Sequence, residues 1–266
     1  MSLRLTILGC GSSGGVPRVG NDWGACDPTE SKNRRRRCSV LVEQHGNNGT
    51  TRVLVDTSPD LREQLLDAKV KALDGVIFTH DHADHMHGID DLRPLVIRNR
   101  KRIPVHADEP TCETLRKRFG YCFLSPEGSI YPPILELNEF DHGKPLAIDG
   151  AGGALEIMPI PVIHGPTPAL GFRFGAIAYI PDVSDIPPAS VDLLQGLDML
   201  LLDALRYTPH ISHFNVETAL EWIERLKPRS AILTNLHCDI DYATLNVELP
   251  DGVTAAYDMM RIAGEA

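Results

Sequence analysis

Seven residues, Thr79-His80-Asp81-His82-Ala83-Asp84-His85, constrain this chain more than any other stretch, because four of them, in HxHxDH spacing, are candidate metal ligands delivered directly off an apolar run. Residues 73–78 (LDGVIF) read as a buried strand, so His80 and His82 leave its C-terminal end with one residue between them. In extended backbone, residues two apart face the same side, which lets two imidazoles converge on one ion. Asp84 and His85 follow and, once the chain turns ahead of Gly88, point to a neighbouring position suited to a second ion. The spacing predicts a centre for two divalent metals.

Composition narrows what such a centre can serve. A chain of 266 residues buries a sizeable core, and one α/β layered domain over 1–266 is the expectation. No apolar run approaches the ~18 residues of a membrane span, and Thr6-Ile7-Leu8 is too short for a signal-peptide core, so a cytoplasmic protein with no membrane association is expected. Cys10, Cys26, Cys38, Cys112, Cys122 and Cys238 lie scattered without CxxC spacing, which fits reduced thiols. The net charge of −10, from 26 basic and 36 acidic residues, argues against a stable nucleic-acid partner, because cationic contacts dominate affinity for phosphate backbones. Against that background Arg34-Arg35-Arg36-Arg37 stands out. It reads either as a contact for an anionic substrate, through Arg36, or as a solvated loop entering a strand.

Taken in order, residues 3–8 form a strand that runs into a glycine-rich turn, GCGSSGGVP, whose Ser12 and Ser13 are candidate substrate contacts. No Gly-Lys-Ser/Thr follows, so it is not a Walker loop. Residues 21–37 are polar, irregular and unusually long for a connector, which favours a functional loop. Residues 38–43 and 52–56 read as a hairpin, followed by a helix over 59–68 with Ser58 as its cap. Beyond the metal loop, helical periodicity over 89–97 and 110–119 brackets a strand at 103–106. Strand signals return at 134–137, 155–163, 171–174, 176–180, 199–203 and 231–234, with a helix over 216–226 between the last two and ragged strand at 253–257 and 259–262. One design recurs: an apolar run stops and delivers His164, Asp182 or His237. α/β sites are usually built at strand C-termini, so a shared metal centre explains all three.

With these residues assembled, the sequence resembles the metallo-β-lactamase superfamily of metal-dependent hydrolases, through HxHxDH at 80–85, His164, Asp182 and a terminal histidine near 237. Within it, GCGSSGGVP, WGACDP and NRRRRCS look like the branch containing the phosphoribosyl cyclic phosphate phosphodiesterase of phosphonate breakdown. The resemblance implies an αβ/βα sandwich of two central mixed sheets flanked by helices, with the metals at one edge. It assigns His80, His82 and His164 to one ion, Asp84, His85 and His237 to the other, Asp182 as the bridge, and His213 as the residue placed to assist catalysis. Two departures matter. The relatives' structural zinc has only Cys26 and Cys238 here, an incomplete tetrahedral set, so no such zinc is expected. Asn235 stands where many relatives carry the ligand histidine, and His237, two residues on, is the substitute.

The expected activity is hydrolysis of a small phosphodiester of a sugar or nucleotide, cyclic forms favoured, with Zn or Mn as cofactor and Asp84 and His213 as catalytic groups. A thioester, lactone or lactam hydrolase on the same scaffold is the alternative, as is a metal-dependent nucleotide or sugar-phosphate sensor without turnover. A homodimer is compatible with the sequence.

Overall fold

The computed structural model describes residues 2–125 and 127–265. Among the described residues the strands form two seven-stranded sheets. The first is built from β1 (Ser2–Gly9), β2 (Ser39–Gly46), β3 (Gly49–Val55), β4 (Gly75–Ile77), β5 (Ile103–Ala107) and β6 (Leu135–Glu139). The second contains β7 (Leu146–Ile148), β8 (Leu155–His164), β9 (Thr167–Phe174), β10 (Ile177–Ile180), β11 (Met199–Asp203), β12 (Ser230–Thr234) and β13 (Val253–Ala255). The last strand, β14 (Arg261–Glu265), returns to the first sheet and pairs antiparallel with β1. The spatial orders are β14-β1-β2-β3-β4-β5-β6 and β13-β12-β11-β10-β9-β8-β7. This is the sandwich expected from the sequence.

Period-two alternation makes the layers. In β11, Leu201 points into the core between the sheets, while Leu200 and Leu202 point outward to the second helical layer. In β2, Val40 and Val42 join the inter-sheet core and Leu41 the opposite face. Strands apolar on both faces need a cover on each, and the helices provide it. Over the first sheet lie α1 (Leu61–Asp67), α2 (Ala83–Met86), α3 (Arg93–Asn99) and α4 (Glu109–Phe123). Over the second lie α5 (Pro188–Val191), α6 (Val216–Leu226) and α7 (Tyr242–Glu248).

The sequence reading places β11 and α6 at their observed limits, and departs elsewhere for identifiable reasons. The helix expected over 110–119 continues to Phe123, with non-helical backbone at Phe119 (φ −129°, ψ 27°), so the pattern ends at a kink and not at a terminus. The expected 89–97 helix splits into a 3₁₀ turn at Ile89–Leu92 and α3. Ser58 is not the N-cap of α1, which is Asp60; its hydroxyl donates to Gln64 Oε1 and accepts from the Asp60 N–H (3.1 Å), and its carbonyl accepts from the Leu61 N–H (2.9 Å).

Strands β3 to β6 run parallel, as do β10 to β13, so their C-terminal ends open toward one edge. At that edge the Leu170 N–H of β9 donates to the Thr79 carbonyl (2.9 Å), tying the second sheet to the His-rich loop of the first.

Candidate metal centre

Each chemically active side chain sits where a strand stops. His80 and His82 follow β4, Asp84 and His85 lie on the single turn of α2, His164 ends β8, and Asp182 comes two residues after β10. Gly88 closes the turn behind them: a Cβ there would overlap the Ser58 carbonyl oxygen. Asp182 is the hub. Its carboxylate lies 3.7 Å from His80 Nε2, 3.3 Å from His85 Nε2 and 3.6 Å from His164 Nε2. Asp84 Oδ2 is 3.5 Å from His85 Nε2, and His82 Nδ1 is 3.3 Å from His164 Nε2. One ligand atom from each of His80, His82, His164 and Asp182 falls within 4.8 Å of every other.

The outward ring nitrogens are held by neighbours, which fixes the orientation of the inward ones. His164 Nδ1 donates to the Ser212 carbonyl (2.6 Å), His80 Nδ1 meets Thr79 Oγ1 (2.9 Å), and His85 Nδ1 meets Asp56 Oδ2 (2.7 Å). Such partners set the tautomer and orientation of a metal-binding imidazole. Asp56 is fully buried in left-handed backbone (φ 62°) and also accepts from the Thr79 N–H and hydroxyl, both at 2.8 Å. His80 Nε2, His85 Nε2 and Asp182 Oδ1 are buried yet have no hydrogen-bond partner, and the Asp182 carboxylate lies within 3.7 Å of both imidazole nitrogens. Orphaned polar atoms cost free energy unless something else satisfies them. Imidazole and carboxylate together suit a divalent cation, so the residues fit the group the sequence implied.

Electrostatics separate the imidazoles. Burial holds His80 well below the usual histidine range and His164 below it, which keeps their lone pairs free for a cation. For His85 burial acts in the same direction, but Asp182, Asp56 and Asp84 outweigh it and raise its pKa well above normal. Burial would likewise raise Asp182, but the neighbouring His85 and His80 pull it well below the carboxylate range.

A second polar unit stands beside the cluster. His213 Nδ1 lies 2.8 Å from Asp203 Oδ2 at the end of β11, and its ring is 4.6 Å from that of His164. Asp203 also accepts from Val183 N (3.0 Å) and Asn235 Nδ2 (3.0 Å), and burial pushes it up to about 7. Burial disfavours charge on His213, but the hydrogen bond to Asp203 raises its pKa overall. Asn215 caps α6 by accepting from Thr218 N (2.9 Å), and the loop carrying His213 enters the helix there. A cavity of about 320 Å³ opens over these groups, lined by Ser12, Ser13, His82, Asp84, Arg206 and His213 among others.

Not every sequence candidate joins this site. His237 borders the cavity, but its Nδ1 pairs with Asp239 Oδ2 (3.0 Å) and its Nε2 faces Arg18 Nη1 (3.4 Å). Its ligand atoms group with Cys238 and Asp239, and not with His80, His82, His164 and Asp182. The reason is Asn235, whose left-handed backbone (φ 61°) breaks the alternation that would have aimed residue 237 alongside it. Arg36 is also a correction. Its Nη2 pairs with Asp67 Oδ2 (2.5 Å) on α1, away from the cavity, while its backbone N–H donates to Asp258.

The rest of the arginine run holds the long early loop together. Arg34 lies over the Trp23 ring and Arg37 pairs with Asp60 (3.0 Å). Arg35, only 2% exposed, donates to the carbonyls of His237 (3.2 Å) and Ile240 (2.8 Å) and to Asn33 Oδ1 (3.1 Å). Cys26 donates to the Cys238 and Ile240 carbonyls from the same place. Arg35→Met would strip these buried acceptors of their partners, and is expected to lower unfolding stability by about 3 kcal/mol in urea titration.

Asp56 and Asp203 were not singled out from the sequence, although the signal was present. Both end an apolar strand, RVLVD and MLLLD, in the pattern that pointed to Asp182. Arg206 has no such pattern around it.

Two sheets sandwiched between helices, with a His/Asp cluster at the strand ends of their common edge, form the metallo-β-lactamase-like arrangement expected from the sequence. The chain belongs to the β-lactamase superfamily: the Beta-lactamase superfamily domain matches residues 51–235. A solved diphosphatase of the PhnP family is 37% identical, with a TM-score of 0.89 over 99% of this chain and 98% of that one. PqqB from Methylobacterium extorquens in its Zn(2+)-bound form has a TM-score of 0.71 at 16% identity, over 97% of this chain and 99% of that one, which is a likeness of fold. Among curated proteins, an octanoyltransferase of Porphyromonas gingivalis is 31% identical over 96% of this chain and 50% of its own length. The coenzyme PQQ synthesis protein B of Bradyrhizobium diazoefficiens is 28% identical over 60% of this chain and 52% of its own. The chain thus spans about half the length of these curated relatives. No helix among the described residues is long and apolar enough to cross a membrane.

Proposed function

We propose that this protein is a metal-dependent phosphodiesterase acting on a small phosphodiester of a sugar or nucleotide, with cyclic forms the favoured class. The observation that carries the reading is the convergence of three buried, unpartnered ligand atoms, on His80, His85 and Asp182, beneath a cavity bordered by the His213–Asp203 pair. In this reading His80, His82 and His164 would hold one divalent ion and Asp84 and His85 a second, with Asp182 available to either. Zn and Mn both suit these donors. Bound, the ions supply Lewis acidity toward a phosphoryl oxygen and a hydrolytic nucleophile at neutral pH.

The chain's own residues do the remainder. Asp84, partly exposed to the cavity, orients the attacking water by accepting its hydrogen bond. His213, protonated and held by Asp203 at Nδ1, presents Nε2 to the leaving oxygen and gives up its proton there. Ser12 and Ser13, on the tight turn closed by the Gly15 N–H to the Ser12 carbonyl (2.8 Å), bind non-reacting oxygens of the substrate. The similarity to a diphosphatase at 37% identity supports chemistry at phosphorus over chemistry at a carbonyl.

Chelated protein is expected to lose hydrolysis of an aryl phosphodiester and to recover it when Mn or Zn is restored, whereas His82→Ala does not recover. Metal-loaded protein that turns over no phosphodiester would sink the reading.

A further inference from the structure

The outer face of the first sheet carries a second cavity, of about 170 Å³, that shares no lining residue with the one over the metal cluster. Period-two alternation builds its floor. Leu5 and Ile7 point into the inter-sheet core, so Arg4 and Thr6 of β1 point outward, and the same rule turns out Glu43 of β2, Arg52 of β3 and Arg261 of β14. Register sets them in two rows: Arg4 opposite Glu43 and Glu43 opposite Arg52, then Arg261 opposite Thr6 and Thr6 opposite Leu41. The end of α1 forms the wall. There, left-handed backbone at Lys69 (φ 56°), with Lys69 N bonded to the Leu66 carbonyl (3.1 Å) and Val70 N to the Leu65 carbonyl (3.0 Å), fixes Lys69 over the floor.

Four cations, Arg4, Arg52, Lys69 and Arg261, line this space against one carboxylate, Glu43, which leaves a surplus of three positive charges. In a chain of net charge −10 that surplus is an exception. Glu43, its side chain only 7% exposed, engages two of the cations: Oε2 accepts from Arg4 Nε (2.9 Å) and Nη2 (2.6 Å), and Oε1 accepts from Arg52 Nε (3.0 Å). These bonds orient both guanidiniums and leave Arg4 Nη1 and both Arg52 Nη groups as free donors among the described residues. Lys69 and Arg261 have no ion-pair or hydrogen-bond partner for their side chains among the described residues. Thr6 gives an independent sign. It is 3% exposed, yet its hydroxyl has no hydrogen-bond partner among the described residues, and it lines the cavity. A buried hydroxyl left alone costs free energy unless something from outside satisfies it.

We infer that this cavity binds a phosphate group, free or on a small ester, at a site separate from the metal centre and taking no part in its chemistry. A tetrahedral anion with several oxygens matches donors that come from different sides: guanidinium edges and a hydroxyl from the sheet, an ammonium from the helix end. Size limits the occupant. The space is smaller than the roughly 300–1,000 Å³ of sites that enclose a whole drug-sized ligand, so it takes the anionic group and leaves the rest of an ester outside. Lys69 and Arg261 are exposed, so binding weakens as salt screens them. None of this rests on the phosphodiesterase reading.

The test titrates zinc-loaded protein with inorganic phosphate at constant ionic strength and follows backbone amide resonances by NMR. The amides of Thr6, Lys69 and Arg261 report this site, and those of Ser12 and Ser13 report the metal centre, so the two are read separately. Saturable shifts at the first set are expected. Arg261→Gln and Lys69→Gln are each expected to weaken the affinity read there about tenfold, and Thr6→Val, which keeps shape and charge, about threefold. Lys71→Gln removes an exposed cation outside the cavity and is expected to change nothing, as are all four variants at Ser12 and Ser13. Glycerol 3-phosphate distinguishes the sources: saturation by inorganic phosphate alone assigns a free anion, and saturation by both assigns the phosphate of an ester. Wild-type amides that do not saturate would overturn the inference. So would equal weakening in Lys71→Gln, which would reduce the effect to the general field of the surface, or unchanged affinity in all three cavity variants.

Discussion

Asp182→Asn is expected to lower both the divalent metal retained per chain and the rate of hydrolysis, the rate by about a thousandfold. Asp182 is 4% exposed and lies within 3.7 Å of three imidazole nitrogens, so its charge opposes any cation in that space directly. An amide keeps the shape and loses the charge, leaving the buried imidazoles to hold a divalent ion without their central anion. Asp84→Asn should cost less, because among the described residues Asp84 lies within ion-pair distance of His85 alone and its side chain is 18% exposed, where water compensates for lost charge. Elemental analysis of desalted protein and aryl phosphodiester turnover check both. Circular dichroism is expected to be unchanged, since the hydrophobic layers do not depend on either side chain. Full metal content and rate in Asp182→Asn would remove Asp182 from the centre.

The sequence revealed the cluster because its ligands obey local rules. His80 and His82 are two apart after a strand, and His164 and Asp182 each stop an apolar run; both facts survive folding since strand periodicity and strand ends are short-range properties. His237 borders the same cavity but groups with Cys238 and Asp239, because one left-handed residue, Asn235, interrupts the alternation on which the extrapolation relied. Arg36 was ambiguous for a different reason. Its partner Asp67 lies 31 positions away on α1, and no local pattern announces that pairing. The elements missed are short: β7 has three residues, and α7 has seven, started by Asp241 accepting from Thr244 N. Such segments carry too few residues for a period, and are fixed by the layers they complete.

His213→Ala is expected to reduce kcat by about a thousandfold while leaving the bound metal unchanged, because His213 stands beside the cluster through ring contact with His164 and has no ligand atom in it. That combination separates an enzyme from a sensor, for which the wild type itself would bind phosphate esters without turnover. Asp203 acts only through His213. Three donors, from Val183, Asn235 and His213, converge on its two oxygens, so Asp203→Asn would turn an amide N–H toward one of them and loosen the imidazole. The expected loss in kcat is about a hundredfold. A residue that works through another adds nothing once the other is gone, so the double variant Asp203→Asn/His213→Ala is expected to be no slower than His213→Ala alone. Additive losses would show that Asp203 has a separate role, with Asn235 as its remaining contact at the cavity wall. Wild-type turnover in His213→Ala would mean that solvent protonates the leaving oxygen, and His213 would then be a neighbour of the α6 cap and not a catalytic group.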